Sequence, residues 1–538
     1  MFRNCCSPRL VFLYNLLAVL LLIASLVLAF WGLPQIISKQ IHKQTELTEN
    51  TDQWDRFKEL PFPMEFNIRF FLVTNPADVL NGSMPILKES EPYKYKSERE
   101  EYTFCSGKPY PFYRSTIKRT DIRFDDIEED SVTYRRSFSF EFDGSGTTRE
   151  DDSITVINPL LMASFQLTND IQRLAMAGCR KYILEPAGLD QVFLTTTVRK
   201  LLFDGIYFGF QNATGKGVAC EMVRKELGKI VANVRVVEHL NDTDCYRLAI
   251  FNYKTDNFLK NSPDGIYTIN RGRNNATALG SIMRWNGATT STTYGTSTSI
   301  NNLTCHSIKG TDSTIYSPEL KAGENLMIFN TDLTIQLVQV SSNEVFNGIN
   351  AFRYSTGYTL FRPETILKEN DCYCSHGTKG ADGKPSCFLD GLLDFRPCLG
   401  APVLISQPHF LHADVKYIRA VSGLSPDEDK HDIYLLLEPN TGTPLEGRKR
   451  VQMNSVLRRQ PLLSMITPPN MYEAVVPILW LDEGFTLPQK YLDDLNAKYF
   501  KTVRIATGFK FGFIAVALAL LVGCLFVACR KMYFRNAK

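Results

Sequence analysis

The chain has 538 residues, of which 60 are Lys or Arg and 57 Asp or Glu, giving a formal net charge of +3. At that length one large or several smaller domains can be built, and 44% apolar residues supply a sizeable core. The averages conceal two stretches without any charge, Leu10–Leu33 with 24 residues and Phe511–Ala528 with 18. A bilayer core takes about 20 apolar residues of helix, so both read as membrane spans. A cytosolic enzyme and a nuclear factor are excluded. The first stretch exceeds the about 7–15 apolar residues of a cleaved signal and is expected to stay as an anchor.

The tail before the first span carries Arg3 and Arg9, and the tail after the second carries Arg530, Lys531, Arg535 and Lys538, with no acid in either. Basic flanks mark the cytosolic side. Lys498, Lys501, Arg504 and Lys510 precede the second span and weaken that argument. The glycosylation sequons at Asn81, Asn212, Asn241, Asn275 and Asn302 restore it, because all lie between the spans. The expected order is a cytoplasmic tail at 1–9, a transmembrane helix at 10–33, an extracellular or lumenal domain at 34–510, a transmembrane helix at 511–528 and a cytoplasmic tail at 529–538. Without the six tail charges, 54 basic residues face 57 acidic ones, which is no electrostatic footprint for nucleic acid.

Between the spans, alternation dominates. Phe66, Ile68 and Phe70 repeat at period two, and so do Phe138, Phe140 and Phe142. After Asn158-Pro159, an N-cap and first-turn pair, Leu160, Phe165, Leu167, Ile171 and Leu174 lie at largely helical spacing up to Gly178. A second helical pattern surrounds Val198, Leu201 and Leu202. Strand signals return with Ile335, Leu337 and Val340, then Val403–Ile405 and Ile433–Leu437. The prediction is a mainly β domain with a helical insertion near 159–205.

Of thirteen cysteines, Cys5, Cys6 and Cys529 sit at the membrane boundaries, where S-palmitoylation is expected. Nine lie between the spans, where an oxidising compartment favours pairing, and a local Cys220–Cys245 bridge is one expectation. The spacing of Cys372, Cys374, Cys387 and Cys398 lacks the close pairs of structural zinc folds. His409, His412 and Asp414 are metal-ligand types, but on a strand His409 would oppose the other two. Neither metal nor cofactor is expected. No G-x-S-x-G elbow or H-E-x-x-H motif is present, so nothing proposes an enzyme.

Several runs together resemble the class B scavenger receptor family, which includes fatty acid translocase (platelet glycoprotein IV), the high-density-lipoprotein receptor, the lysosomal integral membrane protein and the insect sensory neuron membrane proteins. They are Phe71-Leu-Val-Thr-Asn-Pro-Ala-Asp-Val-Leu80, Glu91-Pro-Tyr-Lys-Tyr95, Ile154-Thr-Val-Ile-Asn-Pro159, Gly310-Thr-Asp312, Ala401-Pro, Ser406-Gln-Pro-His-Phe-Leu411, Gly423-Leu-Ser-Pro426 with His431, Glu438-Pro-Asn-Thr-Gly442 and Val476-Pro-Ile-Leu-Trp-Leu481. They follow the family's order and cover nearly the whole exterior domain.

The resemblance implies a large irregular antiparallel β-barrel with a membrane-distal helical cap and a lipid tunnel, anchored by two transmembrane helices. It implies a cell-surface receptor, not an enzyme, that binds fatty acids, sterols, phospholipids, lipoproteins or apoptotic-cell surfaces and passes lipid to the membrane, and that can form homo-oligomers. It also implies pairing of Cys305 with Cys372 and of Cys374 with Cys387. The family's third bridge would join Cys398 to a cysteine within Asn330–Ile335, but Thr334 stands at the corresponding place. Relatives carry lysines before the second cap helix, where this chain has Ala187-Gly-Leu-Asp190. Arg173, Arg180 and Lys181 in the same insertion are the candidate ligand contacts, with a solvated helix face as the alternative. Phe62, Phe66, Phe70 and Phe71 read first as core and second as passage lining. An adhesion or phagocytic recognition receptor without lipid transfer is the closest alternative. A two-span ligand-gated channel subunit is a remote one, since Phe511–Ala528 offers no acidic or charged pore residue. The short tail Arg530–Lys538 has no acidic dileucine, which places the protein at the cell membrane, although a partner can still carry it into endosomes.

Overall fold

The computed structural model describes residues 8–62, 64–96, 117–125, 130–138, 141–144, 146–185, 188, 190–240, 244–251, 265–294, 305–330, 333–357, 361–363 and 365–536. These form two bodies, one from the chain ends up to Glu46 and from Leu487 onward, the other from Leu47–Thr486.

In the first body both apolar stretches lie in helices that outrun them. Phe12–Thr45 is 34 residues long and Gln489–Arg530 is 42, and each is apolar enough to cross a membrane. The first contains a π turn at Leu28–Gly32, which ends two residues before Pro34. Proline lacks an amide proton and its ring meets the carbonyl four residues back, so the wider turn lets the helix continue to Thr45. The two helices pack on each other. Their less exposed positions follow a seven-residue rhythm, with Asn15, Ala18, Leu22, Ser25 and Ala29 on one and Lys510, Ile514, Ala517, Leu521 and Cys524 on the other. Small residues on such a seam allow close approach of two helices.

The second body is mainly β. Its largest sheet has twelve strands, and its main path runs Leu326–Asn330, Leu333–Phe346, Ile349–Ser355, Tyr434–Leu437, Pro444–Leu457, Ala474–Thr486, Glu65–Val73, Tyr93–Lys96, Glu141–Phe142. Leu404–Ser406 branches from Pro444–Leu457 and carries Leu392–Asp394, while Leu87–Glu89 joins Glu65–Val73. Among the described residues no ladder joins the two ends of this path, so the sheet is open and branched, and the expected barrel is not closed by these strands. Pro477 sits mid-strand opposite a register shift between Met453 and Asn454. A bulge is where a sheet tolerates a residue that cannot donate.

The predicted alternation at Phe66, Ile68 and Phe70 fits strand Glu65–Val73, but the strand is buried on both faces. Phe66, Ile68 and Phe70 pack into one core with Tyr95 and Leu479. Phe71 and Val73 pack into another with the helical region. A four-stranded sheet of Ile282–Trp285, Ile266–Asn270, Ser131–Phe138 and Ile117–Asp125 is pinned by Asp312 of the Gly310-Thr-Asp312 run. The Asp312 carboxylate is fully buried and accepts from Arg119 Nη2 at 2.9 Å and Tyr134 OH at 2.7 Å. Arg136 stands 3.8 Å away.

The helical insertion begins where expected but differs in its interior and at its far end. Pro159–Leu167 begins as predicted, with Asn158 Oδ1 accepting from Leu161 N at 3.3 Å. It stops at Thr168, because Asn169 and Gln172 form a fresh capping box that starts Asp170–Gly178. Residues 193–197 form a strand paired with Ser153–Ile157, and the second helical pattern, around Val198, Leu201 and Leu202, is a short helix over residues 198–204 whose last turn, Lys200–Asp204, is a π turn. A further helix, Val218–Val231, lies beyond the predicted limit at 205. Its signal was present in Cys220, Val223 and Leu227 at i, i+3 and i+7, all buried.

Candidate functional site

Two apolar cavities follow one face of the central strands. The first, about 120 Å³, lies between the helices and the sheet: Leu160, Ala163 and Leu167 of one helix and Leu227, Ile230 and Val231 of another face Met453, Ser455 and Leu479. The second, about 170 Å³, is walled by Phe62, Ile335, Leu337, Ile405, Val451 and Phe485. Side chains alternate along a strand, so Lys449 and Val451 in the second cavity and Met453 in the first project from the same face. On the neighbouring strand the residues paired with them are Glu483, Leu481 and Leu479. Val451 and Met453 are two residues apart, about 7 Å of strand. Charge enters only at the second cavity, and there it is paired: Arg448 with Glu65 at 2.6 Å, Lys449 with Glu483 at 3.1 Å and Arg450 with Asp482 at 3.4 Å. An apolar wall of this kind holds hydrocarbon at about 0.8 kcal/mol per buried CH2.

A second cluster gathers residues of four of the motif runs. His409 has a positive φ of 54°, and its Nδ1 accepts from Ser425 N at 3.1 Å. That leaves Nε2 to carry the proton toward Glu89 Oε2, 3.3 Å away. His431 Nδ1 likewise accepts from Asp427 N at 3.0 Å. Trp480 Nε1 donates to Glu89 Oε1 at 2.8 Å, and the Phe71 ring lies 5.1 Å from His409. Burial opposes ionisation of Glu89, but the neighbouring His409 ring and the hydrogen bond from Trp480 outweigh it and hold the carboxyl below its ordinary value. Burial, reinforced by the neighbouring His409, pushes His431 down to about 4. The site is a knot that ties Gly423–Pro426 to the sheet, and His412 and Asp414 do not join it. Asp414 caps helix Val415–Arg419 by accepting from Lys416 N at 2.8 Å. Among the described residues no three His, Cys, Asp or Glu side chains gather as a metal site.

These runs also decide the affiliation. The model of the CD36 family matches residues 16–108 and 109–528. The chain belongs to the CD36 family. Its curated relatives include the sensory neuron membrane protein 2 of Ostrinia furnacalis, 30% identical over 488 residues covering 89% of this chain and 85% of the relative. The sensory neuron membrane protein 2 of Anopheles gambiae is 27% identical over 524 residues, with 91% and 88% covered. The sensory neuron membrane protein 1 of Apis mellifera is 28% identical over 517 residues, with 94% and 87% covered. This is therefore a scavenger-receptor-like membrane protein with two candidate membrane helices at its ends and a large domain between them, in a family of receptors rather than a catalytic one.

Against that family frame, the sequence-predicted residues separate. Arg173 is 7% exposed and donates to Phe165 O at 2.7 Å and Thr168 O at 2.5 Å, closing the end of helix Pro159–Leu167. Arg180 is neutralised by Asp190 at 3.0 Å and Glu185 at 3.6 Å. Lys181 is exposed. The three do not converge on one surface charge. Of the four phenylalanines, Phe62 lines the second cavity, while Phe66, Phe70 and Phe71 are core. Asn81, Asn212 and Asn275 are exposed, and Asn241 and Asn302 lie outside the described residues, as do Cys5 and Cys6. Cys529 is exposed on the second long helix.

The structure bridges Cys305 to Cys372, Cα atoms 6.0 Å apart, and Cys374 to Cys387, 4.6 Å apart. The local expectation of a Cys220–Cys245 bridge is overturned, because Cys220 is bonded to Cys179, with Cα atoms 5.4 Å apart. Helix Val218–Val231 turns Cys220 inward, onto the end of helix Asp170–Gly178. At the place of the family's third bridge, the Cys398 thiol lies 3.5 Å from the Tyr294 hydroxyl. Tyr294 packs on Tyr373 at 5.2 Å, and the Tyr373 hydroxyl donates to Thr334 O at 3.3 Å. Two tyrosines fill the space between Cys398 and Thr334.

Proposed function

We propose that the protein captures lipid from particles, cells or carriers at its helical cap and passes the hydrocarbon along the central sheet toward the membrane. The observation that carries this reading is the tandem placement of the two apolar cavities on one face of strands Pro444–Leu457 and Ala474–Thr486. The first opens beside the cap helices. The second is lined by Leu60, Phe62, Met64 and Glu483–Phe485, close in sequence to both ends of the large domain. Continuity between them would complete a sheltered route, for which the family resemblance supplies the barrel form. In this reading the sequons face the exterior, both tails are cytoplasmic and the ligands are fatty acids, sterols or phospholipids.

Val451 lines the second cavity two residues along the strand from Met453 of the first, so Val451→Trp plugs the route without touching the cap. Cells bearing the full chain should take up labelled fatty acid, and the variant should bind donor particles normally yet lose uptake. Undiminished uptake by a Val451→Trp protein delivered normally to the surface would sink the transfer reading and leave recognition alone.

A further inference from the structure

Among the described residues three disulfides stitch the large domain, and they are not equivalent. Cys179 and Cys220 are 1% and 5% exposed, and Cys305 and Cys372 are 2% and 8%. Cys374 and Cys387 are only half-buried. The exposed His376 holds its Nε2 3.1 Å from Cys374 Sγ. A leaving sulfur departs faster as its thiolate is stabilised, and an imidazole N–H at that distance supplies a hydrogen bond to it.

The segment closed by this bridge also holds the cap. Gln166 Nε2 donates to Lys379 O at 2.9 Å, and Lys379 N donates back to Gln166 Oε1 at 3.0 Å. Gln166 belongs to helix Pro159–Leu167, whose Leu160, Ala163 and Leu167 line the first cavity. On the other side of Lys379, Asp394 accepts from Ser375 Oγ at 2.6 Å and Thr378 Oγ1 at 3.0 Å. The loop thus links a solvent-reachable disulfide to a cavity wall through one reciprocal pair of hydrogen bonds.

We propose that Cys374–Cys387 is a site of thiol–disulfide exchange with an external dithiol, and that its opening loosens the loop's hold on helix Pro159–Leu167. The thiolate of the dithiol attacks Cys387 Sγ, forming a mixed disulfide and breaking the Sγ–Sγ bond. The electron pair leaves on Cys374 Sγ as a thiolate, which accepts a hydrogen bond from His376 Nε2 and then takes up a proton from water. The second thiol of the reductant then attacks its own sulfur in the mixed disulfide. Cys387 is released as a thiolate and takes up a proton, and the dithiol leaves as a cyclic disulfide, two electrons poorer. The exchange chemistry stands apart from the lipid reading and does not depend on it.

The test treats the full chain in detergent with graded dithiothreitol, quenches with an alkylating reagent and reads each cysteine by peptide mass spectrometry. Cys374 and Cys387 should be labelled first, ahead of the other four. His376→Ala should slow their labelling about three-fold or more, the effect of about one unit in the leaving thiol's acidity, and leave the other bridges unchanged. Simultaneous opening of all three bridges, or an unchanged rate in His376→Ala, overturns the exchange site. For the latch, the Cys374→Ser/Cys387→Ser protein should exchange the amide hydrogens of 160–167 several-fold faster than wild type, and Gln166→Ala should do the same with the bridge intact. Wild-type exchange in the double variant overturns the latch.

Discussion

His409 and His431 stack with ring centroids 4.3 Å apart and an interplanar angle of 19°. Each uses its Nδ1 to accept a backbone N–H, from Ser425 and Asp427 respectively. A proton on the His431 Nδ1 would set two donors against each other and release the loop that it anchors. Trp480 stands edge-on to both rings.

The first prediction follows from His431, which burial and His409 push down to about 4, while Glu89 and Asp427 partly oppose the shift. An unfolded histidine titrates near 6.5. Between those values the unfolded chain holds a proton that the folded chain does not, so stability falls as pH falls through the window. The full loss is about 3 kcal/mol. Thermal melts from pH 7 to 4.5 should show a falling Tm, and His431→Gln should flatten the slope. A variant with the same slope as wild type would place the acid sensitivity elsewhere.

Asp312 carries the second. Burial opposes its charge, but Arg119 and Arg136 outweigh that and hold it well below the ordinary carboxylate range. Asp312→Asn leaves two buried guanidinium groups without their counter-ion, at a cost of about 3–5 kcal/mol. The variant should fail to reach the surface or melt far lower. Glu324→Gln, which removes an exposed partner of Lys321, should change little. Equal Tm values for the two variants would refute the assignment.

The outline of the fold was legible because membrane spans, strand alternation and the Asn158 cap are local signals. The helix break at Thr168 was written in Asn169 and Gln172, but a continuous apolar pattern from Leu160 to Leu174 masks a cap placed inside it. Ile171 and Leu174 kept the helical rhythm although they face outward, at 70% and 62% exposed. Periodicity alone cannot tell an apolar face that is buried from one that is presented. The cavities were illegible for another reason. Ala163, Val451 and Met453 are ordinary residues, and only the long-range pairing of Pro444–Leu457 with its neighbours lines them up. Arg173 misled in the opposite sense, since a charge in a helical insertion reads as surface until its helix-closing role is seen.

The exposed Ile171 and Leu174 supply the third prediction, which separates capture from transfer. Helix Asp170–Gly178 presents both to solvent, and exposed Met465 lies against Arg180 nearby, Nη1 to Sδ 3.7 Å. Apolar groups held outward on a rigid, disulfide-linked helix suit a lipid-bearing surface more than water. Leu174→Glu puts a charge there without filling any cavity, whereas Ala163→Phe fills the first cavity and leaves the surface unchanged. Binding of labelled phospholipid vesicles by cells should fall about ten-fold with Leu174→Glu, equal to about 1.4 kcal/mol, and stay normal with Ala163→Phe. Fatty acid uptake should fall with both. If Ala163→Phe folds, binds and still transfers at the wild-type rate, the first cavity is not on the route. If Leu174→Glu binds vesicles as wild type does, capture occurs away from this helix.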